Sequence, residues 1–419
     1  MTEPLYDASA NIPEAIRAMG EQYAQDIVSL RRHFHAHPEL SRKEFDTSDF
    51  ICAQLDELGV EYRRVQGAKP SGEGDFIGTG ILATLRGEAP GAYDEHGVPA
   101  TRVALRTDMD ALPVAERTGV EYSSENEGVM HACGHDCHMA MMLGAVRMLD
   151  QLKGSLRGEV RVLFQPAEEI SVGAKDLIAA GALDGVDAIF GMHIWSDFDA
   201  GLVSCEAGPR MGNTDWFRID IEGTSAHGSM PHKGVDAIVV AAEIVDELQV
   251  IVSRRVSPFE PVVITVGEIH GGTAPNIMAG SAYLTGTVRT WRREMRDAVA
   301  NRMERIAGKT AHAFGAQLSF SYKAGNPGVV NDEACAEVAR AAAEKVLGPS
   351  AVGHYEGTLA GEDFAEYQKM VPGVFVFLGT RNPEIGADFP QHSCYYQVDE
   401  SVLPNGAMLA AQWACDMLS

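Results

Sequence analysis

The chain has 419 residues, enough for two or three domains and a large core, and its composition of 45% hydrophobic and 22% charged residues is ordinary for a globular protein. A net charge of −25 makes it a poor partner for nucleic acid or an anionic membrane surface, and an anionic ligand would need local cations to hold it. Met1-Thr2-Glu3-Pro4 lacks the basic and apolar regions of a signal peptide, no run of about 18 apolar residues appears, and seven scattered cysteines favour reduced thiols; a cytoplasmic protein is expected.

In the first half helix and strand alternate. Apolar residues at helical spacing predict a helix over Ile16–Leu30 and a second over Thr47–Leu58, ended by Gly59. The stretch from Gly67 to Gly80, rich in Gly, Ser and Pro, reads as a loop, and so does Glu88 to Ala100. Arg102–Leu105 is a short apolar strand running into Thr107-Asp108-Met109-Asp110, and His138–Leu152 is a helix packed with Met, Leu and Ala. Glu159–Phe164 is a strand running into Gln165-Pro166-Ala167-Glu168-Glu169, and Ala188–Met192 is a strand running into His193. The pattern predicts an α/β layer structure. Three apolar strands each end in ionisable residues, and in open α/β sheets ligand sites lie beyond the carboxyl ends of strands.

The middle of the chain has a different order. Asp215–Ile221 alternates Phe217, Ile219 and Ile221 as a half-buried strand does, and Gly234–Val256 is a long apolar-faced helix. Val262–Ile269 and Ala282–Thr290 are strands with Gly271-Gly272 between them, Arg293–Phe314 is a second long helix, and Gln317–Lys323 is a final strand. The order β-α-β-β-α-β is the ferredoxin-like arrangement. Residues 213–325 are therefore expected to form an inserted domain between the two parts of an outer domain, 1–212 and 326–419. The second part opens with helix Asp332–Leu347 and strand Val374–Leu378.

The segment His131-Ala132-Cys133-Gly134-His135-Asp136-Cys137-His138 is dense in metal-capable side chains. Thiolate and imidazole bind zinc and other first-row divalent ions, and Gly134 lets the backbone turn so that both flanking side chains face one point. Taken alone, the triplet is a weak signal and reads more readily as a buried Cys beside a capping His than as a metal site. Glu168-Glu169 follows an apolar strand and Pro166; neighbouring side chains there are expected to point in different directions, one toward a metal and one toward water. His193 and His392 are each ambiguous singly, between a satisfied core imidazole and a ligand. Together Cys133, His135, Glu169, His193 and His392 can surround one or two divalent ions, with Mn, Zn, Co and Ni all suited to the donor mixture.

The chain resembles the M20 family of metallopeptidases and amidohydrolases, and within it the branch of hippurate hydrolases, auxin-conjugate hydrolases and N-acyl amino acid deacylases. The matching residues are Arg32-His33-Phe34-His35, Pro38–Ser41, Arg106–Pro113, His131–His138, Phe164–Glu169, Gly191–Ile194, Ser225–Gly228 with Pro231, Gly271–Ile277, Gly361–Phe364 and Gln391–Ser393. The resemblance implies a three-layer zinc-peptidase-like catalytic domain whose inserted domain is a lid that also mediates homodimerisation. It implies that Cys133, His135, Glu169, His193 and His392 are metal ligands, that Glu168 is the catalytic base, and that Asp110 orients a ligand. His227 and Asn276 match groups that contact substrate or stabilise the oxyanion, His227 in the partner's site. Peptidase branches carry a His-x-Asp pair where this chain has Asp108-Met109-Asp110, which argues against dipeptidase action.

The expected reaction is hydrolysis of an N-acyl amino acid to a carboxylic acid and an amino acid. Arg289, at the end of an insert strand, is the candidate cation for the substrate carboxylate; the other reading is an ordinary surface arginine. Hippurate-like, aliphatic acyl and aminobenzoyl-glutamate substrates all fit. Two readings of other classes are a cysteine amidase with Cys133 as nucleophile, which leaves Glu168-Glu169 and His392 without purpose, and a non-catalytic metal- or ligand-binding protein. Cys137 reads as a small buried residue or as a redox-sensitive neighbour of Cys133.

Overall fold

The computed structural model describes residues 11–68 and 75–419, so the N-terminal Met1-Thr2-Glu3-Pro4 and the centre of the Gly67–Gly80 stretch lie outside the described residues. The chain divides into two compact units, one of Met1–Gly208, Val330–Glu356 and Glu366–Ser419, the other of Pro209–Val329 and Gly357–Ala365.

Helix α1 (Ile12–Ala36) starts at Asn11, whose side chain accepts from the Glu14 amide, with Pro13 in the first turn. It runs past Leu30 because Arg31, Phe34 and His35 are still buried. Helix α2 (Phe45–Leu58) ends at Gly59, left-handed at φ 68°. Strands β1 (Glu61–Ala68) and β2 (Asp75–Arg86) then pair antiparallel, where a loop from Gly67 to Gly80 was expected. Glycine is poor in strands by propensity, and Gly67, Gly78 and Gly80 masked the pattern. Strand β3 (Arg102–Asp108) is followed by α3 (His135–Leu152), buried almost all round, and by β4 (Glu159–Gln165) and the short α4 (Gly173–Ala179). Strand β5 (Ala188–Asp199) precedes the two-residue strands β6 (Val203–Ser204) and β7 (Gly208–Pro209).

The second unit contains β8 (Asn213–Glu222), β9 (Ala226–His227), α5 (Ala237–Arg255), β10 (Val262–Gly271), β11 (Ile277–Met278), β12 (Ser281–Thr290), α6 (Arg293–Ala313) and β13 (Gln317–Ala324). Its main sheet is antiparallel in the order β10-β12-β8-β13, and the long elements follow one another as β-α-β-β-α-β. Phe217, Ile219 and Ile221 bury one face of β8 against Ile244 and Leu248 of α5 and Val299 and Met303 of α6, while Trp216 and Arg218 face outward.

The chain returns to the first unit through β14 (Val330–Asn331) and α7 (Glu333–Leu347), capped by Asp332, then β15 (Gly373–Arg381) and α8 (Leu403–Met417). The seven-stranded sheet has the order β1-β2-β4-β3-β5-β15-β6, and β4, β3, β5 and β15 are mutually parallel. Helices α1, α3, α7 and α8 pack on one another, with Phe34, Met139, Met142 and Trp413 in the core they share with the sheet. Helix α8 escaped the sequence reading because its polar face is thin, only Asn405, Gln412 and Asp416 among apolar residues.

The expectation for His193 needs correction. Its strand does not end at Met192 but runs on to Asp199, because β15 pairs with it as far as that residue. In the parallel register Arg106 of β3 lies opposite Gly191, which sets His193 level with Asp108, the last residue of β3. His193 thus stands at the carboxyl end of the neighbouring strand while lying inside its own.

Candidate metal centre

Four segments of the first unit converge at this edge of the sheet. Cys133 and His135 flank Gly134, which caps α3 at φ 97° and where a Cβ would collide with the Ile194 side chain; only glycine fits that turn. Glu168 and Glu169 follow β4 after Pro166, and His193 is contributed by β5. His392 sits in the segment before α8, left-handed at φ 67°, its amide donating to the Ala132 carbonyl at 2.7 Å.

The donor atoms of Cys133, His135 and His193 lie within 4.8 Å of one another, and so do those of Cys133, Glu169 and His392, and of His135, Glu168 and Glu169. Cys133 Sγ is 3.5 Å from His193 Nε2, and Glu169 Oε1 is 3.8 Å from His135 Nε2 and 3.7 Å from His392 Nε2. The two glutamates therefore approach the same place, whereas strand alternation would part them. The reason is local: β4 ends at Gln165, Ala167 takes a left-handed φ of 55°, and Glu168 and Glu169 then lie in a turn closed by the Ser171 amide on the Glu168 carbonyl at 2.7 Å, where strand alternation does not apply.

The imidazoles are oriented by their second nitrogens. His193 Nδ1–H donates to the Ile194 carbonyl at 2.5 Å, which turns Nε2 toward Cys133. His135 Nδ1 faces Asp110 Oδ1 at 3.4 Å, which leaves Nε2 toward Glu169. Asp110 also accepts the Ser41 hydroxyl at 2.6 Å and the backbone amides of Glu168 and Glu169, each at 3.1 Å, so one carboxylate braces both halves of the site.

Two buried residues that sequence reasoning named only as part of a strand end and of a metal-capable segment, without a role of their own, lie beside these groups. Asp108 accepts from Arg106 at 2.8 Å and from His138 Nδ1 at 2.7 Å, and His138 Nε2 accepts the Ile194 amide at 3.0 Å. Both His138 nitrogens are thus engaged, and it is not a donor for an ion even though it groups with Asp108 and His135. The available signal was its position three residues after His135 on α3, where the two rings share a face.

His135 Nε2 and Glu169 Oε1 are buried with no hydrogen-bond partner. Burial pushes the Glu169 carboxyl up to about 7 against the charge of His135. Burial alone would depress His135, but Asp108, Asp110 and Glu169 outweigh it and hold its pKa near about 10. Burial, reinforced by Glu169, Glu168 and Asp108, drives the Cys133 thiol well above its ordinary value. Buried acceptors and carboxylates crowd together here, and a cation relieves all of these strains at once. A set of one thiol, imidazoles and carboxylate oxygens fits a first-row divalent ion. Cys137 is wholly buried on α3.

The other expected site residues belong to the second unit. His227 in β9 lies opposite Ile277 of β11, and the Gly228 amide donates to the Asn276 carbonyl at 2.9 Å, so His227 and Asn276 are backbone neighbours. His227 Nδ1 accepts the Ser229 amide at 3.2 Å, which leaves the ring proton on Nε2. Arg289 on β12 pairs in register with Thr214 and Val263; it is half-buried and its guanidinium donates to the Val288 carbonyl at 3.1 Å.

Among known proteins, an N-acetyl-L-cysteine deacetylase of Bacillus subtilis (strain 168) is 39% identical over 383 residues, covering 90% of this chain and 85% of that protein. An N-acyl-L-amino acid amidohydrolase of Geobacillus stearothermophilus is 41% identical over 319 residues, 76% of this chain and 81% of that one. The crystal structure of a dinuclear metal-binding peptidase from the M20 family of Bacillus subtilis superposes with a TM-score of 0.80 at 34% identity, covering 95% of this chain and 99% of that one. Residues 104–416 match peptidase family M20/M25/M40, and the chain belongs to that family.

Proposed function

We propose that the protein is a metal-dependent amidohydrolase that cleaves the amide bond of N-acyl amino acids. What carries the reading is the convergence of Cys133, His135, Glu169, His193 and His392 around unpartnered buried donor atoms, with the Glu168 carboxylate beside them. The relatives named for deacetylation and for N-acyl amino acid hydrolysis support the substrate class, and the dinuclear neighbour supports one or two ions.

Those five residues hold the ion or ions, of Mn, Zn, Co or Ni. A divalent cation in such a set polarises the scissile carbonyl and lowers the pKa of water from about 15.7 toward about 7. Glu168 takes a proton from the attacking water as its oxygen adds to the carbonyl carbon. It then delivers that proton to the nitrogen as the C–N bond breaks. Asp110 keeps the His135 tautomer and the Glu168-Glu169 backbone in place. His227 Nε2–H donates to the developing oxyanion, with Asn276 alongside on the substrate, and Arg289 supplies the cation that this acidic chain needs for the substrate carboxylate. The inserted unit serves as lid and homodimer contact, and the protein works in the cytoplasm.

The Cys133–His193 pair at 3.5 Å favours one rival, a cysteine amidase. Against it, burial and the nearby carboxylates raise the thiol pKa, the reverse of what an activated nucleophile requires. The test is an amino-acid release assay over a panel of aromatic-acyl, aliphatic-acyl and aminobenzoyl-glutamate substrates and dipeptides, using metal-stripped protein reloaded with each ion. Release from the N-acyl substrates only after reloading is expected. Release that survives stripping would establish the cysteine reading, and tight binding without turnover would leave a binding protein.

A further inference from the structure

Glu44 is fully buried at the N-terminus of α2, yet its side chain does not cap that helix. The Thr47 amide is instead taken by Glu39 at 2.8 Å. The Glu44 carboxylate crosses to the end of β4, where Oε1 accepts the Ala167 amide at 2.9 Å, while Oε2 accepts the Thr79 hydroxyl at 2.6 Å. Ala167 is itself fully buried and left-handed, a conformation that an alanine holds only when its surroundings enforce it. On its far side the next two amides are held by Asp110 at 3.1 Å each. Further along, Gly173 sits so close to the Pro166 carbonyl that no Cβ could be placed there. The turn is thus gripped at three successive amides by two buried carboxylates from different segments.

We infer that Glu44 is a positioning residue: by fixing the Ala167 amide it holds the left-handed turn that sends both Glu168 and Glu169 into one site. An extended Ala167 would re-aim the turn that follows it, closed by the Ser171 amide on the Glu168 carbonyl at 2.7 Å, and carry both carboxylates off the site together. Burial, with Asp110 nearby, raises the Glu44 pKa to about 7, in keeping with a carboxyl placed for its hydrogen bonds and not for an ion pair. The role rests on the proposed hydrolysis for its catalytic consequence, but the turn itself can be followed without turnover.

The test uses the full chain as wild type, Glu44→Gln, Glu44→Ala, Ala167→Gly and the Glu44→Ala/Ala167→Gly double variant. Two quantities are read: hydrogen exchange of the peptide spanning 164–173, and kcat and KM for an N-acetyl amino acid at saturating Mn²⁺. Glu44→Ala is expected to speed exchange in that peptide alone. It should also lower kcat roughly 10- to 100-fold, with KM within about threefold, as a slight misplacement of reacting groups does. Glu44→Gln keeps an acceptor for the Ala167 amide and should restore both quantities. The Ala167→Gly change, which adopts φ > 0 without help, should recover part of the kcat lost in Glu44→Ala. The inference is overturned if Glu44→Ala exchanges and turns over like wild type. It is equally overturned if exchange rises throughout the chain and neither Gln nor Ala167→Gly recovers anything, the pattern of a purely structural tie. An inactive wild type would refute the hydrolase reading, and the exchange data would still decide for or against Glu44.

Discussion

In the proposed mechanism the adjacent residues Glu168 and Glu169 take different tasks. Glu169 Oε1 lies between two imidazoles with no hydrogen of its own to meet, as a ligand oxygen does. In the proposed reaction Glu168 is left as the base. Glu168→Gln should keep its metal content and lose at least about 100-fold in kcat, the usual scale for a positioned general base; mass spectrometry of the metal and steady-state kinetics check it, and near-normal turnover would remove Glu168 from the mechanism. Arg289→Ala should raise KM roughly 10-fold or more with kcat within about threefold, since carboxylate binding is common to ground and transition states. If neither constant moves, Arg289 is an ordinary strand residue. At this scale much was legible. Cys133, Gly134 and His135 are contiguous, and Glu168-Glu169 follows an apolar strand. Glu44 was not, and Ser41, Asp108 and His138 were named without their roles, because each acts through a partner brought in from a distant segment, 123 residues away for Glu44 and Ala167.

At the scale of elements, the start of α3 is tied to α1 by a buried network. Arg31 donates to Asp136 at 2.8 Å, His35 Nδ1 to the same carboxylate oxygen at 2.7 Å, and His35 Nε2 reaches Glu116 at 3.3 Å. Burial would raise the Glu116 carboxyl, but hydrogen bonds from His35, the Ser124 amide and Thr118 bring it from 4.5 down to about 2. Its contribution to stability is complete above pH 4.5 and is lost as the pH falls through about 2. His35 has the opposite sign: burial and Arg31 oppose its charge, yet Asp136 and Glu116 raise its pKa above 6.5. Its contribution is complete below pH 6.5 and is lost as the pH rises through the raised value. Urea unfolding across pH should therefore give Glu116→Gln a flatter acid limb than wild type, by on the order of 1 kcal/mol once screening is allowed for. Identical limbs would mean that Glu116 is not part of the network's charge balance. Elements with a clear period, such as β8 and α5, were legible from spacing. Strands β1 and β2 were hidden by their glycines, α8 by the thinness of its polar face, and the continuation of β5 past His193 by a pairing with β15 that no local pattern records.

For the whole molecule, a chain of net charge −25 buries still more carboxylates around one thiol and a few imidazoles, and those groups are reconciled most simply by a divalent cation. No helix among the described residues is long and apolar enough to cross a membrane. The α/β character of the first unit and the β-α-β-β-α-β order of the second were legible from the order of predicted elements, because each periodic run is long enough to declare its type. The direction in which the strand-end residues point was not, since it depends on two left-handed positions, Ala167 and His392, that composition does not betray. The account's central claim is that Cys133, His135, Glu169, His193 and His392 hold catalytic metal. It is tested most directly by measuring metal content and amino-acid release together, in wild type and Cys133→Ala, before and after chelation. Wild type should carry one or two ions per chain and release amino acid only while they are bound, and Cys133→Ala should lose metal and release in parallel. Undiminished release by metal-free wild type would contradict the claim.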